Sequence, residues 1–320
     1  MKFTTPTAIP KSDFTISHEQ SILLIGSCFA QNIGEKLIDN KFNVNINPFG
    51  IIYNPISVIN EINRIINNQL YTEKELIQFN EKWISFHHHG SFSSTNKVTC
   101  LEQINTSLNE AHDQLKQSKT VFITVGSAWV YEYPDVGIVA NCHKIPNKQF
   151  AKRLLSVKEI LSAFDNVKES LKNINIVFTV SPVRHIKDGL HENNLSKSIL
   201  HLAINNLVEQ NDNYHYFPAY EIVIDELRDY RFYKDDLVHP TDLAINYIWN
   251  KFSECYFSST TQQLNSEIKQ LKAAINHRPF NFESEEHQQF ISKQIEIMDQ
   301  LSKQYSFLNF MQEKKSLLHS

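Results

Sequence analysis

The chain has 320 residues, 41 % hydrophobic and 21 % charged, with a formal net charge of -4. That is the balance of a soluble globular protein, and it offers no basic surface for nucleic acid or an anionic membrane. No apolar run approaches the roughly 18 residues of a membrane span, and seven glycines and ten prolines exclude a fibrous chain.

Residues 1–21 lack the apolar stretch of a signal peptide. Cys28, Cys100, Cys142 and Cys255 are far apart, with no CxxC pair, so disulfides and zinc-finger spacing are not expected and a cytoplasmic location is. Thr4 to Ile16, polar and carrying Pro6 and Pro10, reads as an extended surface arm. Ile22-Leu23-Leu24-Ile25 reads as a short buried strand that Gly26-Ser27-Cys28 breaks, and Phe29, Ile33 and Leu37 then fall at helical spacing.

Phe42 to Ile46 alternates as a second strand, Asn47 to Pro55 is a Pro/Gly loop, and Ile59, Ile62, Ile65 and Ile66 mark a helix. Trp83 to Ser94, with its run His87-His88-His89, shows no periodicity. Glu102 to Gln117 reads as a helix and Val121 to Val125 as a strand; Ala128 to Phe150 reads as irregular. A helix over Val157 to Leu171 precedes a strand over Ile174 to Val180. A helix over Leu195 to Val208 precedes a short strand at Tyr214 to Phe217. Helices follow at Tyr220 to Leu227 and Pro240 to Phe257, separated by the loop Tyr233 to His239. Strand and helix alternating about five times predict a parallel sheet covered on both faces, a three-layer α/β/α sandwich. Two amphipathic helices, Leu264 to Ile275 and Ser284 to Leu301, flank His277-Arg278-Pro279-Phe280. The expected division is residues 1–257 for the α/β domain and 258–320 for a helical extension, which serves as a cap or a homodimer contact.

Two stretches carry chemistry. The strand–glycine–helix junction puts Cys28 at a helix amino terminus, where partial positive charge favours thiolate over thiol. The alternative is a small apolar side chain packing at a strand end. In Asp235-Asp236-Leu237-Val238-His239-Pro240, Asp236 stands three residues before His239 and suits a carboxylate that orients an imidazole. Pro240 then marks the helix start and biases His239 toward extended backbone. Both stretches fall at the same sheet edge.

Together these stretches resemble the SGNH/GDSL hydrolase superfamily, and more closely the GSCFA-domain proteins, whose motif Gly26-Ser27-Cys28-Phe29-Ala30 spells out. The resemblance implies a parallel-sheet hydrolase fold of SGNH, flavodoxin-like type and esterase or acyl-hydrolase chemistry, with no cofactor and no metal. Gly26 then matches the Gly of the Gly-Asp-Ser block, Ser27 its Asp and Cys28 its nucleophile, while Ser27 stays open as the nucleophile instead. Gly50 matches the glycine whose amide receives the oxyanion, and Asp236 and His239 match the closing Asp-x-x-His. Where those enzymes carry Gly-x-Asn, this chain has Gly126-Ser127-Ala128, so the Asn donor is missing and Asn54, Ser127 or Asn141 stand as replacements. His88, His143 and Asn141 are candidate polar contacts near the pocket; a metal site would use His87 and His89, or His88 alone, joined by further ligands such as Cys142, His143 or His239, as a metal-dependent hydrolase would. Arg184 or His185 is a candidate contact for an anionic substrate group, with a structural ion pair as the other reading of Arg184. The expected partner is a small-molecule or carbohydrate ester. Alternatives are an acyltransferase, which shares every step but the last, and a non-catalytic ligand-binding module.

Overall fold

The first apolar run forms a strand longer than its four apolar residues. The computed structural model describes residues 4–275 and 284–318. Strand β1 covers Ser21–Gly26, all of it buried. It ends where Gly26 takes φ +130°; a Cβ there would lie 2.0 Å from the Thr124 carbonyl oxygen, so only glycine fits. Ser27 then caps helix α1 (Cys28–Asp39), its hydroxyl accepting the Phe29 amide at 3.2 Å.

Strand β2 (Asn43–Ile46) pairs parallel with β1. Helix α2 (Pro55–Asn67) opens on an Asn54 cap with proline in its first turn. Between them and helix α3 (Lys97–Gln117) lies a hairpin, β3 (Ile77–Phe79) and β4 (Lys82–Ile84). Strands of three residues are too short for alternation to show, which is why the sequence reads as unpatterned there. Strand β5 (Ser118–Val125) follows. The stretch expected to be irregular instead contains β6 (Trp129–Tyr133), β7 (Gly137–Val139) and β8 (Ala151–Leu154), an antiparallel sheet in the order β7-β6-β8. The helix expected over 157–171 is two, α4 (Val157–Asp165) and α5 (Lys168–Leu171). Strand β9 (Asn175–Val180), helix α6 (Leu190–Gln210) and strand β10 (Tyr214–Tyr216) complete the repeat.

The central sheet runs β10-β9-β5-β1-β2, every pair parallel. Its side chains alternate between two cores. Leu23, Ile25, Val121, Ile123, Ile176 and Phe178 join the cluster under α2, α3, α4 and α6, while Ile22, Leu24, Phe122 and Val177 face α1 and the carboxy-terminal segment 244–257. This is the expected α/β/α sandwich. Because β2 and β5 flank β1, the connections leave β1 and β5 in opposite directions, and open sheets of this kind bind ligands outside the strand ends at that point.

After β10 the expected helix is a short α7 (Ala219–Glu221) running into a π turn at Ile222–Glu226. Helix α8 (Asp242–Tyr256) is capped by Thr241, so Pro240 stands before the cap and not inside the helix. The amino-terminal arm is more than a surface strap, because Ile16 is buried and its amide bonds the Tyr256 carbonyl at 2.9 Å. Helices α9 (Ser259–Ile275), α10 (Glu285–Gln304) and an unexpected α11 (Met311–Leu318) share their own apolar cluster. Lys272 pairs with Asp39 at 2.7 Å and Lys41 with Glu313, which ties them to α1 and its exit. His277 to Phe280 lie outside the described residues. Among the described residues no helix is long and apolar enough to cross a membrane.

Candidate functional site

Gly26 pairs with Thr124 where β1 and β5 end together. The turn beyond is fixed by Asn47, whose side-chain oxygen accepts the Gly26 amide at 2.8 Å, and by the Ile52 amide, which donates to the Gly26 carbonyl at 2.9 Å. Cys28 follows as the first residue of α1 and is half-buried. Burial pushes its thiol pKa above the usual 9.0, outweighing its own amide, the Lys197 charge, the Phe29 amide and the Lys234 charge, which all pull it down. A helix end alone therefore does not hold a resting thiolate here, contrary to expectation, because the desolvation of the sulfur is the larger effect. Ser27 is 0 % exposed, and its hydroxyl accepts the Phe29 amide as the helix cap.

The Asp236–His239 pair forms as its spacing predicts. Asp236 Oδ1 accepts the His239 and Val238 amides at 2.9 and 3.0 Å, with Leu237 at φ +60°, and Oδ2 meets His239 Nδ1 at 2.6 Å. The His239 amide, the Val238 amide and the imidazole together hold the Asp236 carboxyl down to about 2. Among the described residues His239 Nε2 has no protein partner, and no hydrogen bond joins it to the Cys28 sulfur.

Several expected substrate contacts are occupied elsewhere. The Gly50 amide donates to the Asn47 carbonyl at 2.7 Å, so it does not offer a free oxyanion donor. Asn54 is a buried cap: its oxygen accepts the Ser57 amide at 2.8 Å and its nitrogen donates to the Ser57 hydroxyl at 2.9 Å. The amides of Gly126 and Ser127 both donate to the Tyr53 carbonyl, at 2.7 and 3.1 Å, and the Ser127 hydroxyl accepts the Trp129 amide at 3.0 Å. Asn141 accepts the His143 amide at 2.8 Å, and His143 Nε2 meets the Ser85 carbonyl at 2.7 Å. His88 is 0 % exposed, stacked on Phe49 with ring centroids 4.5 Å apart and bonded to the Ser85 hydroxyl at 2.9 Å. It is a core histidine, held neutral by its burial. Asn141, His143 and His88 thus serve the Ser85–His89 segment. Among the described residues no three His, Cys, Asp or Glu side chains gather to hold a metal ion.

The structure brings forward a residue that sequence reading passed over. Lys197 in α6 is 2 % exposed, and its ammonium donates to the Gly126 and Ser181 carbonyls, both at 2.7 Å, clamping the ends of β5 and β9. Among the described residues no carboxylate pairs with it. Burial drops its pKa from 10.5 to about 7, with the Cys28 charge acting in the opposite direction. The signal was present, since Lys197 stands three and seven residues before the buried Leu200 and Ile204, on the apolar face of its helix. His185 sits beside it, its amide fixed by Asn193 Oδ1 at 3.0 Å and its ring edge-on to Tyr53 at 5.1 Å. Burial and the Lys197 charge push His185 down to about 4, so it stays neutral, and the His239 charge reaches it too. The Tyr53 phenol is raised by burial and by the Cys28 charge. Lys197 thus bears on both Cys28 and His185, and His239 on His185.

A family model described as the GSCFA family matches residues 21–252. The chain belongs to the GSCFA family. A second model, the GSCFA domain protein, C-terminal domain, matches residues 268–319, the span of α9 to α11. A comparison with curated proteins returns no match. In this GSCFA protein the five residues of the name run from the end of β1 into the first turn of α1, so the motif is a strand–helix junction at the carboxyl end of β1.

Proposed function

We propose that this GSCFA protein is an acyl-ester hydrolase of the SGNH kind, with Cys28 as nucleophile and Asp236–His239 as its base. The observation that carries the reading is an imidazole oriented at 2.6 Å by Asp236 with Nε2 free, in a chain whose half-buried thiol opens α1 at the end of β1. A thiol whose pKa is raised needs a base at the moment of attack, which is what an oriented imidazole supplies. His239 takes the thiol proton, the sulfur bonds the acyl carbon, and the carbon–oxygen bond to the alcohol breaks as His239 returns the proton to the leaving oxygen. Water then cleaves the thioester and regenerates the thiol. An alcohol or amine in place of that water makes the same site an acyltransferase.

Charge on the carbonyl oxygen needs donors. With Gly50, Asn54 and Ser127 committed elsewhere, the Cys28 amide and the Tyr53 hydroxyl are the groups that support this role. Lys197 stabilises the thiolate and the charged intermediate, at a distance set by its clamp on Gly126. The same commitments favour a second reading, a ligand-binding module without turnover.

Brief exposure to iodoacetamide, and separately to a fluorophosphonate and to p-nitrophenyl acetate, tests the assignment by intact mass and peptide mapping. The expected result is alkylation and acetylation at Cys28 that slow in His239→Ala, with acetyl release in wild type. Alkylation of Cys28 no faster than that of Cys142, with no acetyl adduct and Ser27 unlabelled, overturns the hydrolase reading and leaves the binding module.

A further inference from the structure

We propose that a second pocket, beside α2, binds a small primary amine whose ammonium is received by the buried carboxyl of Glu61. The pocket measures about 210 Å³ and shares no lining residue with the Cys28 and Asp236–His239 groups. Phe49, Tyr71 and Ala140 give it apolar walls, and Glu61, Arg64 and His87 give it polar ones. In α2 the buried Val58, Ile62 and Ile65 follow helical spacing, and Glu61 falls on the same face, three residues after Val58 and four before Ile65. A carboxylate in such a row is out of place unless something answers its charge.

Glu61 is 2 % exposed and only half its carboxyl is partnered. Oε1 accepts the Phe49 amide at 3.1 Å, and among the described residues Oε2 has no hydrogen-bond partner. Burial raises this carboxyl well above 4.5, and the Phe49 amide pulls it down by less. Arg64, one turn further along α2, is engaged elsewhere. It is salt-bridged to Glu75, donates to the Gln69 carbonyl at 3.3 Å, and lies over the Tyr71 ring at 3.7 Å. With that cation matched, the formal charge left to the wall is the carboxylate of Glu61.

His87 supplies a second acceptor. Burial, and then the Arg64 charge, lower its pKa below 6.5, so the imidazole is neutral. Its backbone amide donates to the Ser85 hydroxyl at 3.3 Å, while among the described residues its ring makes no hydrogen bond. A carboxyl oxygen and a neutral imidazole suit the N–H donors of an ammonium, which also brings the counter-charge that a buried carboxylate lacks. Cavities of about 150 Å³ hold benzene, so this one, at about 210 Å³, admits an aromatic ring with one methylene and an amine against Phe49 and Tyr71.

The test pairs benzylamine with benzyl alcohol, which matches its shape without the charge, and reads both by isothermal titration calorimetry near neutral pH. Benzylamine is expected to bind saturably, one per chain, and about tenfold or more tighter than the alcohol, the scale of one hydrogen bond to a charged group. Glu61→Gln keeps an oxygen for the Phe49 amide and abolishes that preference. His87→Leu leaves Glu61 in place and weakens benzylamine several-fold; it decides the matter if Glu61→Gln does not fold. Alcohol binding as tight as the amine shows Glu61 acting as a neutral acid and overturns the proposal. So does the absence of saturable amine binding. Amine binding unchanged in Glu61→Gln, or in His87→Leu where the first variant does not fold, places the amine elsewhere and overturns it too.

Discussion

Replacing Lys197 by Met keeps the length of the side chain and removes its charge. The wild-type ammonium is 2 % exposed and meets two carbonyls but no carboxylate. Its pKa falls from 10.5 in ordinary surroundings to about 7, which corresponds to a folding cost on the order of 5 kcal/mol when the group must be charged. Because the folded value is the lower one, the unfolded chain holds more protons between the two values, and stability rises with pH across that window. Integrating the linkage between pH 7 and pH 9 gives a wild-type gain of about 2 kcal/mol from this group. Lys197→Met carries no such proton. It leaves the Gly126 and Ser181 carbonyls unpaired, at about 1–3 kcal/mol each, but is freed of the charging cost. Near pH 7 the two effects offset, and at pH 9 the variant is the weaker protein by about 2 kcal/mol more than at pH 7. Urea unfolding monitored through the fluorescence of Trp83, Trp129 and Trp249 measures this, with both proteins in a Cys28→Ala background so that thiol ionisation does not contribute. Stability curves that run parallel from pH 7 to pH 9 would refute the reasoning, since Lys197 would then titrate as an exposed lysine.

Two further substitutions test the junction. Gly26→Ala forces a side chain into φ +130° and to within 2.0 Å of the Thr124 carbonyl oxygen, so the expected outcome is little soluble folded protein, read by circular dichroism and size exclusion. A folded, stable Gly26→Ala would show that β1 and β5 can separate at their ends. Ser27→Ala removes the cap of α1 and costs about 1 kcal/mol in urea unfolding, while p-nitrophenyl acetate still labels Cys28. Loss of acylation with unchanged stability would return the nucleophile role to Ser27.

Local patterns carried most of the architecture in the sequence. Ile22 to Ile25 and Val121 to Val125 are apolar on both faces, as a doubly covered parallel strand needs, and the helical spacing after Phe29 marks the crossover helix. The Asp236–His239 pair was equally legible, since a carboxylate three residues before a histidine closes its hydrogen bonds within one loop. The family resemblance, read from five residues, is matched over residues 21–252. What the sequence by itself determined is therefore whatever depends on neighbours along the chain: strands, caps, the Gly26 turn and the Asp–His loop. Tertiary structure alone decided which polar groups were left for chemistry. Gly50, Asn54 and Ser127 look like donors in one dimension, but the folded loops spend Gly50 on the Asn47 carbonyl and Asn54 on the Ser57 hydroxyl, and bury the Ser127 hydroxyl against that of Ser196. Lys197 looks like a solvated lysine until α6 turns it under the sheet edge, and the thiol that a helix end should ionise is buried enough to stay protonated. Hydrogen-bond partners and desolvation are set by residues distant in sequence, and only packing brings them together.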